Sequence, residues 1–347
     1  MLFVTDSTGN PGPETRNEKP IPADREDFAY DSSAMNNDLH EKADGKPKIR
    51  LSDLIAELRP GQWTKNAIIP AAFFFAFWDV NQRLDIRISI FKVISAMLLF
   101  CLTSGAIYVL NDIMDAPADR RHPLKRFRPI ASGRISIPLA WSIFIILLAV
   151  SGALSFMLSR PFFWVTAGYI GLQSAYSLFL KQAPIVDVLV IAAGFVLRAI
   201  AGAAVLAVNI SPWLLLCTFL LALFLALCKR RHEKVLLDNV NGQRASLEKY
   251  DERLLDQLIA ITSSATIVSY SIYTLSPATV DKFGTFRLGF TIPFVVFGIF
   301  RYLDLVYRHE KGDRPEKILL TDTPILINLA LYILSLITVF VLRNANI

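Results

Sequence analysis

The chain has 347 residues, of which 53% are hydrophobic and 19% are charged. This apolar fraction exceeds that of a typical soluble domain, so the composition excludes an ordinary soluble enzyme and favours a membrane protein. The net charge is +6, and its distribution along the chain carries more information than its size. The cysteines lie in or at the ends of apolar runs without metal-ligand spacing, which argues against a disulfide framework.

Residues 1–48 differ from the rest of the chain. They are rich in Asp, Glu, Asn, Pro and Lys and poor in large apolar side chains, so they cannot offset the entropy of ordering. They also lack the apolar centre of a signal peptide. We therefore expect a disordered cytoplasmic tail at 1–48 and a transmembrane domain at 49–347. The domain begins with an amphipathic segment, residues 51–59, which is expected to lie flat on the inner membrane interface.

Apolar runs long enough to cross a bilayer, each of about 20 residues, recur through the rest of the chain. The boundary between the fifth and sixth runs is the weakest, because only residues 209–212 interrupt the apolar pattern. The sequence predicts an all-α, polytopic membrane protein with about nine transmembrane helices. The predicted spans are 62–79, 90–110, 137–157, 161–180, 185–208, 210–228, 255–275, 288–307 and 324–342.

Lys and Arg are distributed unevenly between the two sides of this bundle. If the N-terminus lies inside, the loops after the second, fourth, sixth and eighth spans hold far more of them than the loops on the opposite side. Cytoplasmic loops carry such an excess. We therefore expect the long basic loops to cap the cytoplasmic face of the inner membrane.

Acidic side chains are concentrated at the start of the segment 111–133, directly after the second span. On a helix, Asp112, Asp115 and Asp119 fall on one face, because steps of three and four residues return to nearly the same direction. Pro117 lacks a backbone N–H, so we expect the helix to kink or stop there, which leaves Asp112 and Asp115 as the safer metal pair and Asp119 as a third ligand from the break. Oxygen ligands without nearby Cys indicate Mg²⁺ rather than zinc. The three acids are therefore the predicted catalytic metal ligands.

Basic side chains follow the acids in the same segment. Bases of this kind suit phosphate oxygens, and the accompanying prolines and glycine suit a shaped loop better than a charged helix. The alternative is a solvated helix end in which acids and bases only pair with one another. The candidate substrate contacts of this segment are Asn111, Arg120, His122, Lys125, Arg126 and Arg128.

A second basic cluster begins where the sixth span ends, with the sequence Lys-Arg-Arg-His-Glu. Lys229, Arg230 and Glu233 lie at helical spacing and can turn toward the first loop, so we predict that they contact substrate. The alternative is that these bases only set the membrane topology and contact anionic lipid heads.

Further polar side chains lie at or inside span ends, where a charge at the membrane centre costs about 2.5–3.5 kcal/mol. They are therefore candidate substrate contacts, and Arg198 is the deepest of them. Two roles for Arg198 stay open: a structural strut that pairs with an acid inside the bundle, or a ligand of a lipid phosphate. The candidates of this class are Lys65, Asn66, Tyr176, Lys181, Asp187 and Arg198.

The pattern Asn-Asp-x-x-Asp followed by a basic loop, at the end of the second of nine spans, resembles the UbiA superfamily of intramembrane prenyltransferases. The longer run over 111–133, with Asp119-Arg120-x-His122-Pro123-x-Lys125-Arg126-x-Arg128-Pro129 after the first acids, is similar to the decaprenyl-phosphate phosphoribosyltransferase branch. The resemblance covers about residues 51 to 343. Shorter matches are Gln62-Trp63-x-Lys65-Asn66, Tyr176-Ser177-x-x-Leu180-Lys181, Asp187-Val188, Gly194-Phe195-x-x-Arg198 and Phe300-Arg301-Tyr302.

The chain departs from superfamily members that prenylate aromatic rings. Those members usually carry a second Asp-x-x-x-Asp motif after the sixth span, whereas this chain has the basic cluster and Asp238 with no acid four residues later. One acid cluster that faces a basic cluster suits a donor with phosphate groups at separate ends and an anionic lipid acceptor. The branch resemblance thus implies transfer of 5-phosphoribosyl from phosphoribosyl diphosphate to a polyprenyl phosphate, with Mg²⁺ on the acids.

Two other functions are compared with this one. An aromatic prenyltransferase of a quinone or haem pathway would share the fold and the first acid motif, but the missing second acid pair argues against it. A transporter would have its site near the membrane midplane between repeated halves, whereas the polar clusters here gather at one surface. The expected partners are polyprenyl phosphate, phosphoribosyl diphosphate and the membrane, without nucleic acid, and a homo-oligomer stays open.

Overall fold

A computed structural model describes residues 50–123, 125–238, 250–308, 318 and 320–344 of the chain. The regular structure in these ranges is helical, which confirms the all-α prediction. The tail predicted at 1–48 lies outside the described residues, so the division into a tail and a transmembrane domain stays a prediction.

The helices are numbered in chain order. Short 3₁₀ segments at Pro60–Ala67, Leu180–Gln182 and Arg287–Thr291 connect some of them. The α-helices are α1 Leu51–Glu57, α2 Ile68–Phe77, α3 Ile86–Asp119, α4 Ile137–Leu158, α5 Arg160–Leu178, α6 Val186–Leu206, α7 Pro212–Asp238, α8 Glu252–Leu275, α9 Pro277–Phe283, α10 Ile292–Arg308 and α11 Thr323–Val341.

Among the described residues, 7 helices are long and apolar enough to cross a membrane, so the chain is a multi-pass membrane protein. They are α3, α4, α6, α7, α8, α10 with its leading 3₁₀ segment, and α11. The predicted span 62–79 is instead split between a 3₁₀ segment and α2, whose 10 residues rise about 15 Å, half of a hydrocarbon core. The predicted span 161–180 is a helix of 19 residues, α5, but its Thr, Gln and Ser make it less apolar. The count of nine therefore stays a prediction.

Helix α3 is the centre of the bundle. Of the most apolar 18 residues of α3, 67% are buried inside the protein, against 11% for the same length of α4. Helix α3 packs against α2, α4, α5 and α6. Phe100 and Ile107 of α3 lie in one apolar core with Phe162 and Tyr169 of α5. Because α3 is enclosed in this way, its C-terminal acids lie against other helices and loops.

The expected stop of α3 at Pro117 is wrong. The helix continues through Pro117 and ends at Asp119, so all three acids lie on one continuous helix of 34 residues. Proline is tolerated because it lies in the last turn, where only one backbone hydrogen bond is lost. The bond from the N–H of Arg120 to the carbonyl oxygen of Ala116, at 3.1 Å, is still made. Asp119 is therefore a helical residue rather than a ligand delivered from a break.

Helices α2 and α6 approach each other closely at Gly202. A β-carbon added there would lie 2.3 Å from the carbonyl oxygen of Ile69, a backbone atom that cannot swing aside. Gly202→Ala is therefore expected to push α2 away from α6 and to lower the free energy of unfolding by about 1–3 kcal/mol. The measurement is the thermal unfolding midpoint in detergent. Gly168→Ala on α5 is the control, because an added β-carbon there meets nothing within 4 Å; an equal loss in both variants would contradict this packing argument.

Candidate active site

Two of the three acids of α3 share one guanidinium. Asp112 and Asp119 are both buried, with 3% and 5% exposure. Nη1 of Arg128 lies 3.1 Å from Oδ1 of Asp112 and 2.6 Å from Oδ2 of Asp119. The structure thus brings these two acids and the predicted substrate contact Arg128 together at the end of α3.

The loop after α3 holds Arg128 in position because its apolar residues fold back onto the helix. Ile130 and Ile135 are each 1% exposed and pack in one core with Ile113 of α3. The turn between them uses Gly133 with φ 82°, a backbone conformation that suits glycine. The fold-back therefore follows from the alternation of apolar and basic residues in the loop.

Asp115 faces a different part of the bundle. Its Oδ1 accepts a hydrogen bond from Nζ of Lys181 at 2.5 Å, and its Oδ2 accepts one from Nδ2 of Asn111 at 3.0 Å. Lys181 lies in the 3₁₀ segment between α5 and α6. The predicted contacts Lys181 and Asn111 thus bond to Asp115. Asp115 pairs with a lysine, whereas Asp112 pairs with arginines.

Arg59 is a site residue that the sequence did not reveal. Its Nη2 contacts both carboxylate oxygens of Asp112, with 2.7 Å to Oδ2, and its guanidinium lies 5.1 Å from the ring centre of Tyr108. Arg59 has φ 50°, a conformation that is costly for a side-chain-bearing residue and often marks functional sites. A basic residue directly before Pro60, at the end of the amphipathic segment, was the available signal.

Glu57, the last residue of α1, is a fourth acid near this site. It is 3% exposed, and no N–H or O–H donor of the described residues reaches either of its carboxyl oxygens, which lie beside the carboxylate of Asp112. Burial and the neighbouring carboxylate of Asp112 raise the pKa of Glu57 to about 8. Two acids are therefore adjacent, and burial beside a second carboxylate disfavours the charged form of Glu57.

The fit of this site to Mg²⁺ can be judged from its ligand atoms. Within the described ranges, no three His, Cys, Asp or Glu side chains lie close enough to hold a metal ion by themselves. Mg²⁺ takes only one or two protein carboxylates when a substrate supplies phosphate oxygens. The unpartnered buried oxygens of Glu57, beside Asp112, provide ligands of the required kind. The residues therefore fit a Mg²⁺ site that a phosphorylated substrate completes.

A second polar cluster joins α6 and α7 and contains four predicted contacts. Nε of Arg230 donates to Oδ2 of Asp187 at 2.7 Å, its Nη1 donates to Oε2 of Glu233 at 2.5 Å, and its Nη2 lies 3.5 Å from the hydroxyl of Tyr176. The hydroxyl of Tyr250 donates to Oδ1 of Asp187 at 2.6 Å, and burial raises the pKa of this tyrosine well above its ordinary value. Two carboxylates thus compensate the buried charge of Arg230, and the cluster braces the start of the second loop.

Arg198 is enclosed by neutral partners inside the bundle. Its guanidinium donates to Oδ1 of Asn66 at 2.8 Å, to the carbonyl oxygen of Gly194 at 2.9 Å and to the hydroxyl of Tyr169 at 2.7 Å. It is 5% exposed. Within the described part of the chain, no carboxylate pairs with it. The acid partner that a salt-bridged strut requires is therefore missing from the described residues.

Two further predicted contacts act on the shape of the first loop. Nε of Arg120 donates to the carbonyl oxygen of Ala131 at 3.3 Å. Nδ1 of His122 accepts from the backbone N–H of Lys125 at 3.3 Å. The side chain of Lys125 is half-buried near Asp119. Arg120 and His122 thus stabilise the loop that carries Arg128.

The remaining predicted contacts lie in three different segments of the chain. Arg126 is exposed, with its guanidinium 4.8 Å from the ring centre of Phe127. Nζ of Lys229 lies 4.0 Å from Oε1 of Glu233. Lys65 is half-buried in the 3₁₀ segment before α2.

The chain is similar in sequence to known membrane proteins. The model of the UbiA prenyltransferase family matches residues 67–321. The chain belongs to this family. Among curated UbiA relatives, the decaprenyl-phosphate phosphoribosyltransferase of Corynebacterium glutamicum is 34% identical over 283 residues, which cover 80% of this chain and 83% of that protein. The enzyme of the same name from Mycobacterium tuberculosis is 32% identical over 278 residues, which cover 80% of this chain and 90% of that protein.

A solved structure shows the same UbiA fold. The UbiA homolog from Archaeoglobus fulgidus bound to GPP and Mg²⁺ superposes with a TM-score of 0.63 over 83% of this chain and 99% of that chain. Its sequence is 21% identical, so the likeness extends to the fold alone. The resemblance that the sequence motifs predicted is therefore confirmed at the level of the family.

Proposed function

We propose that this chain transfers the 5-phosphoribosyl group of phosphoribosyl diphosphate to a polyprenyl phosphate and releases diphosphate, in the synthesis of a cell-envelope polysaccharide precursor. Decaprenyl phosphate is the expected acceptor, because the relatives from Corynebacterium glutamicum and Mycobacterium tuberculosis are named for it and match most of the chain. The motif over 111–133 supports the same branch.

The observation that carries the proposal is the mixture of acids and cations at the end of α3. Asp112 contacts two arginines, and Asp115 contacts Lys181. A prenyl diphosphate needs acids on both sides of its metal-bound head, whereas a ribosyl donor also needs cations for a separate phosphate. The start of the second loop offers Arg230 braced by Asp187 and no second acid pair of the aromatic type.

The proposed reaction exchanges one bond at C1 of the ribose. The bond from C1 to the diphosphate oxygen breaks, the diphosphate leaves with the electron pair, and an oxygen of the lipid phosphate forms the new bond to C1. Bound Mg²⁺ would neutralise the charge that develops on the leaving diphosphate. No general base is required, because a phosphate monoester is already ionised near neutral pH.

The cations of the site hold the anions in this reaction. Arg128 and Lys181 exchange their carboxylate partners for phosphate oxygens when the donor binds, since guanidinium and ammonium groups bind both kinds of anion. Arg59, which also contacts Asp112, is placed to do the same. Lys125 and Arg126 lie next to this group and extend the positive surface toward solvent.

The membrane holds the acceptor, and the basic loops orient the enzyme. Large apolar side chains such as Trp164 and Phe91 are exposed on the outside of the bundle, where they suit contact with lipid tails. The excess of Lys and Arg on the loops after the even-numbered predicted spans supports a position of the acids at the cytoplasmic face of the inner membrane. The polyprenyl chain would then lie in the bilayer with its phosphate near the acids.

The proposal is tested with purified protein in detergent, phosphoribosyl diphosphate, decaprenyl phosphate and Mg²⁺. Formation of polyprenyl-phosphoryl ribose phosphate, detected by mass spectrometry, is the expected result. A parallel reaction contains a prenyl diphosphate and 4-hydroxybenzoate. Prenylation of the aromatic acid without formation of the ribosylated lipid would overturn the assignment in favour of an aromatic prenyltransferase.

A further inference from the structure

Glu57 is held rigidly against α3, although it lies outside the acid motif. The preceding α1 is anchored by the ion pair between Asp53 and Arg134, with 2.9 Å from Oδ1 to Nε. The following residue, Leu58, sits over Gly105 of α3, where a β-carbon would meet Cδ2 of the leucine at 2.9 Å. Both ends of the short segment are therefore fixed, and the side chain of Glu57 is committed to the interior.

The surroundings of Glu57 offer its carboxyl group no hydrogen-bond donor. Its two oxygens are buried and accept no hydrogen bond from any described residue. The arginines that lie nearest, Arg59 and Arg128, both already bond to Asp112. A buried carboxyl group normally finds a donor, and leaving one without a donor is costly. The arrangement therefore lacks either a shared proton or a cation between Glu57 and Asp112.

We propose that Glu57 and Asp112 together bind a divalent cation, with Glu57 as a metal ligand contributed from outside the Asn-Asp-x-x-Asp motif. Two carboxylates and the phosphate oxygens of a substrate form a usual coordination set for Mg²⁺. The pair exists only because α1 packs against α3, since Glu57 and Asp112 are more than fifty positions apart in the sequence. The inference rests on the proposed function only for the identity of the phosphorylated ligand.

Glu57→Gln distinguishes a cation from a shared proton. Glutamine has nearly the same shape, and its amide can donate to Asp112 as a protonated Glu57 would. If a proton were shared, the variant would bind metal as the wild type does. If Glu57 is a ligand, the variant loses a charged oxygen, and its affinity for metal is expected to fall by about ten-fold or more, as when metal-site residues are altered.

The experiment measures Mn²⁺ binding by electron paramagnetic resonance on the full-length protein in detergent, with inorganic diphosphate to supply the phosphate oxygens and without lipid acceptor. Wild type, Glu57→Gln and Asp112→Asn are compared with Asp53→Asn, a control on the same helix whose amide oxygen still accepts from Arg134. Weaker Mn²⁺ binding in the first two variants, with wild-type affinity in the control, is the expected result. Thermal unfolding of each variant checks that the fold is retained.

The possible outcomes separate this inference from the proposed function. Unchanged Mn²⁺ affinity in Glu57→Gln, with a loss in Asp112→Asn, overturns the role of Glu57 and leaves the acid motif and the transfer reaction standing. Absence of protein-bound Mn²⁺ in the wild type at millimolar Mn²⁺ and diphosphate overturns the two-carboxylate site. If Mn²⁺ binding is weaker in Glu57→Gln and Asp112→Asn as expected, but the wild type transfers no ribosyl group in the assay above, the proposed function is overturned and Glu57 keeps its role.

Discussion

Replacing Asp112 by Asn is expected to lower turnover of the ribosyl transfer by at least about 1,000-fold, equivalent to roughly 4 kcal/mol of transition-state stabilisation. The reason is the position of this carboxylate, which lies beside Arg59, Arg128 and Glu57 and would join the proposed metal ligands to the basic side chains. The variant is assayed for initial rate at saturating donor, acceptor and Mg²⁺. Activity within a few-fold of wild type would remove Asp112 from the proposed metal site.

Asp85→Asn is the matched control for this variant. Asp85 lies at the opposite end of α3, where its Oδ1 accepts from the backbone N–H of Ile88 at 3.0 Å and caps the helix. Asparagine caps helices about as well as aspartate, so this variant should keep both stability and turnover. A large loss of turnover in Asp85→Asn would show that the assay responds to any loss of charge on α3.

Replacing Arg198 by Gln is expected to raise the KM for polyprenyl phosphate by about 100-fold, since a hydrogen bond to a charged group contributes about 1.5–3 kcal/mol. The charge of Arg198 is not balanced by an acid, because its three hydrogen-bond partners are neutral and no carboxylate of the described residues pairs with it. Its bond to the carbonyl of Gly194, one turn earlier, directs the guanidinium toward the end of α6 that lies near Lys181. Titration of each substrate at saturating levels of the other gives both KM values.

The two KM values identify what Arg198 binds. A rise for the lipid with an unchanged KM for the ribosyl donor supports binding of the lipid phosphate. A rise for the donor alone would assign the guanidinium to the 5-phosphate. A lower unfolding temperature with both KM values unchanged would make Arg198 a strut built on Asn66 and Tyr169. Arg198→Lys is the conservative variant, and it should recover part of the affinity because it keeps the charge.

The part of the molecule that depends on local spacing could be predicted from the sequence. The helical class follows from apolar runs, and the common face of Asp112, Asp115 and Asp119 follows from steps of three and four residues. Proline does disrupt a helix, but its effect depends on its position in the helix. Pro117 lies so near the end of α3 that the helix absorbs it, and its cost is limited to the last turn.

Contacts between distant segments could not be predicted. Arg59 and Glu57 reach Asp112 only because Leu58 fits over Gly105, and a sequence alone does not show which glycine lies under which leucine. The partner of Arg230 was equally hidden. Its basic neighbours suggested phosphate binding, whereas burial beside Asp187 gives it a fixed carboxylate.

The number of crossings also exceeded what local pattern can settle. Residues 62–79 read as one apolar run, yet the first part is a 3₁₀ segment that carries Asn66 into the interior. Asn66 is 0% exposed because it bonds to Arg198 and to Sγ of Cys101. The hydrogen bonds of Asn66 inside the bundle thus accompany a 3₁₀ segment where hydropathy alone predicts a continuous helix.

The pairing of the α3 acids with arginine and lysine bears on the order in which ligands enter. A lone divalent ion must separate a carboxylate from Arg128 or Lys181, and a lone pyrophosphate must pull the same pairs apart from the other side. An ion and a phosphorylated sugar that enter as one complex give both halves of each broken pair a new counterpart. Thermodynamic linkage then makes each ligand tighten the other by an equal factor, and the resting enzyme discriminates against either one alone.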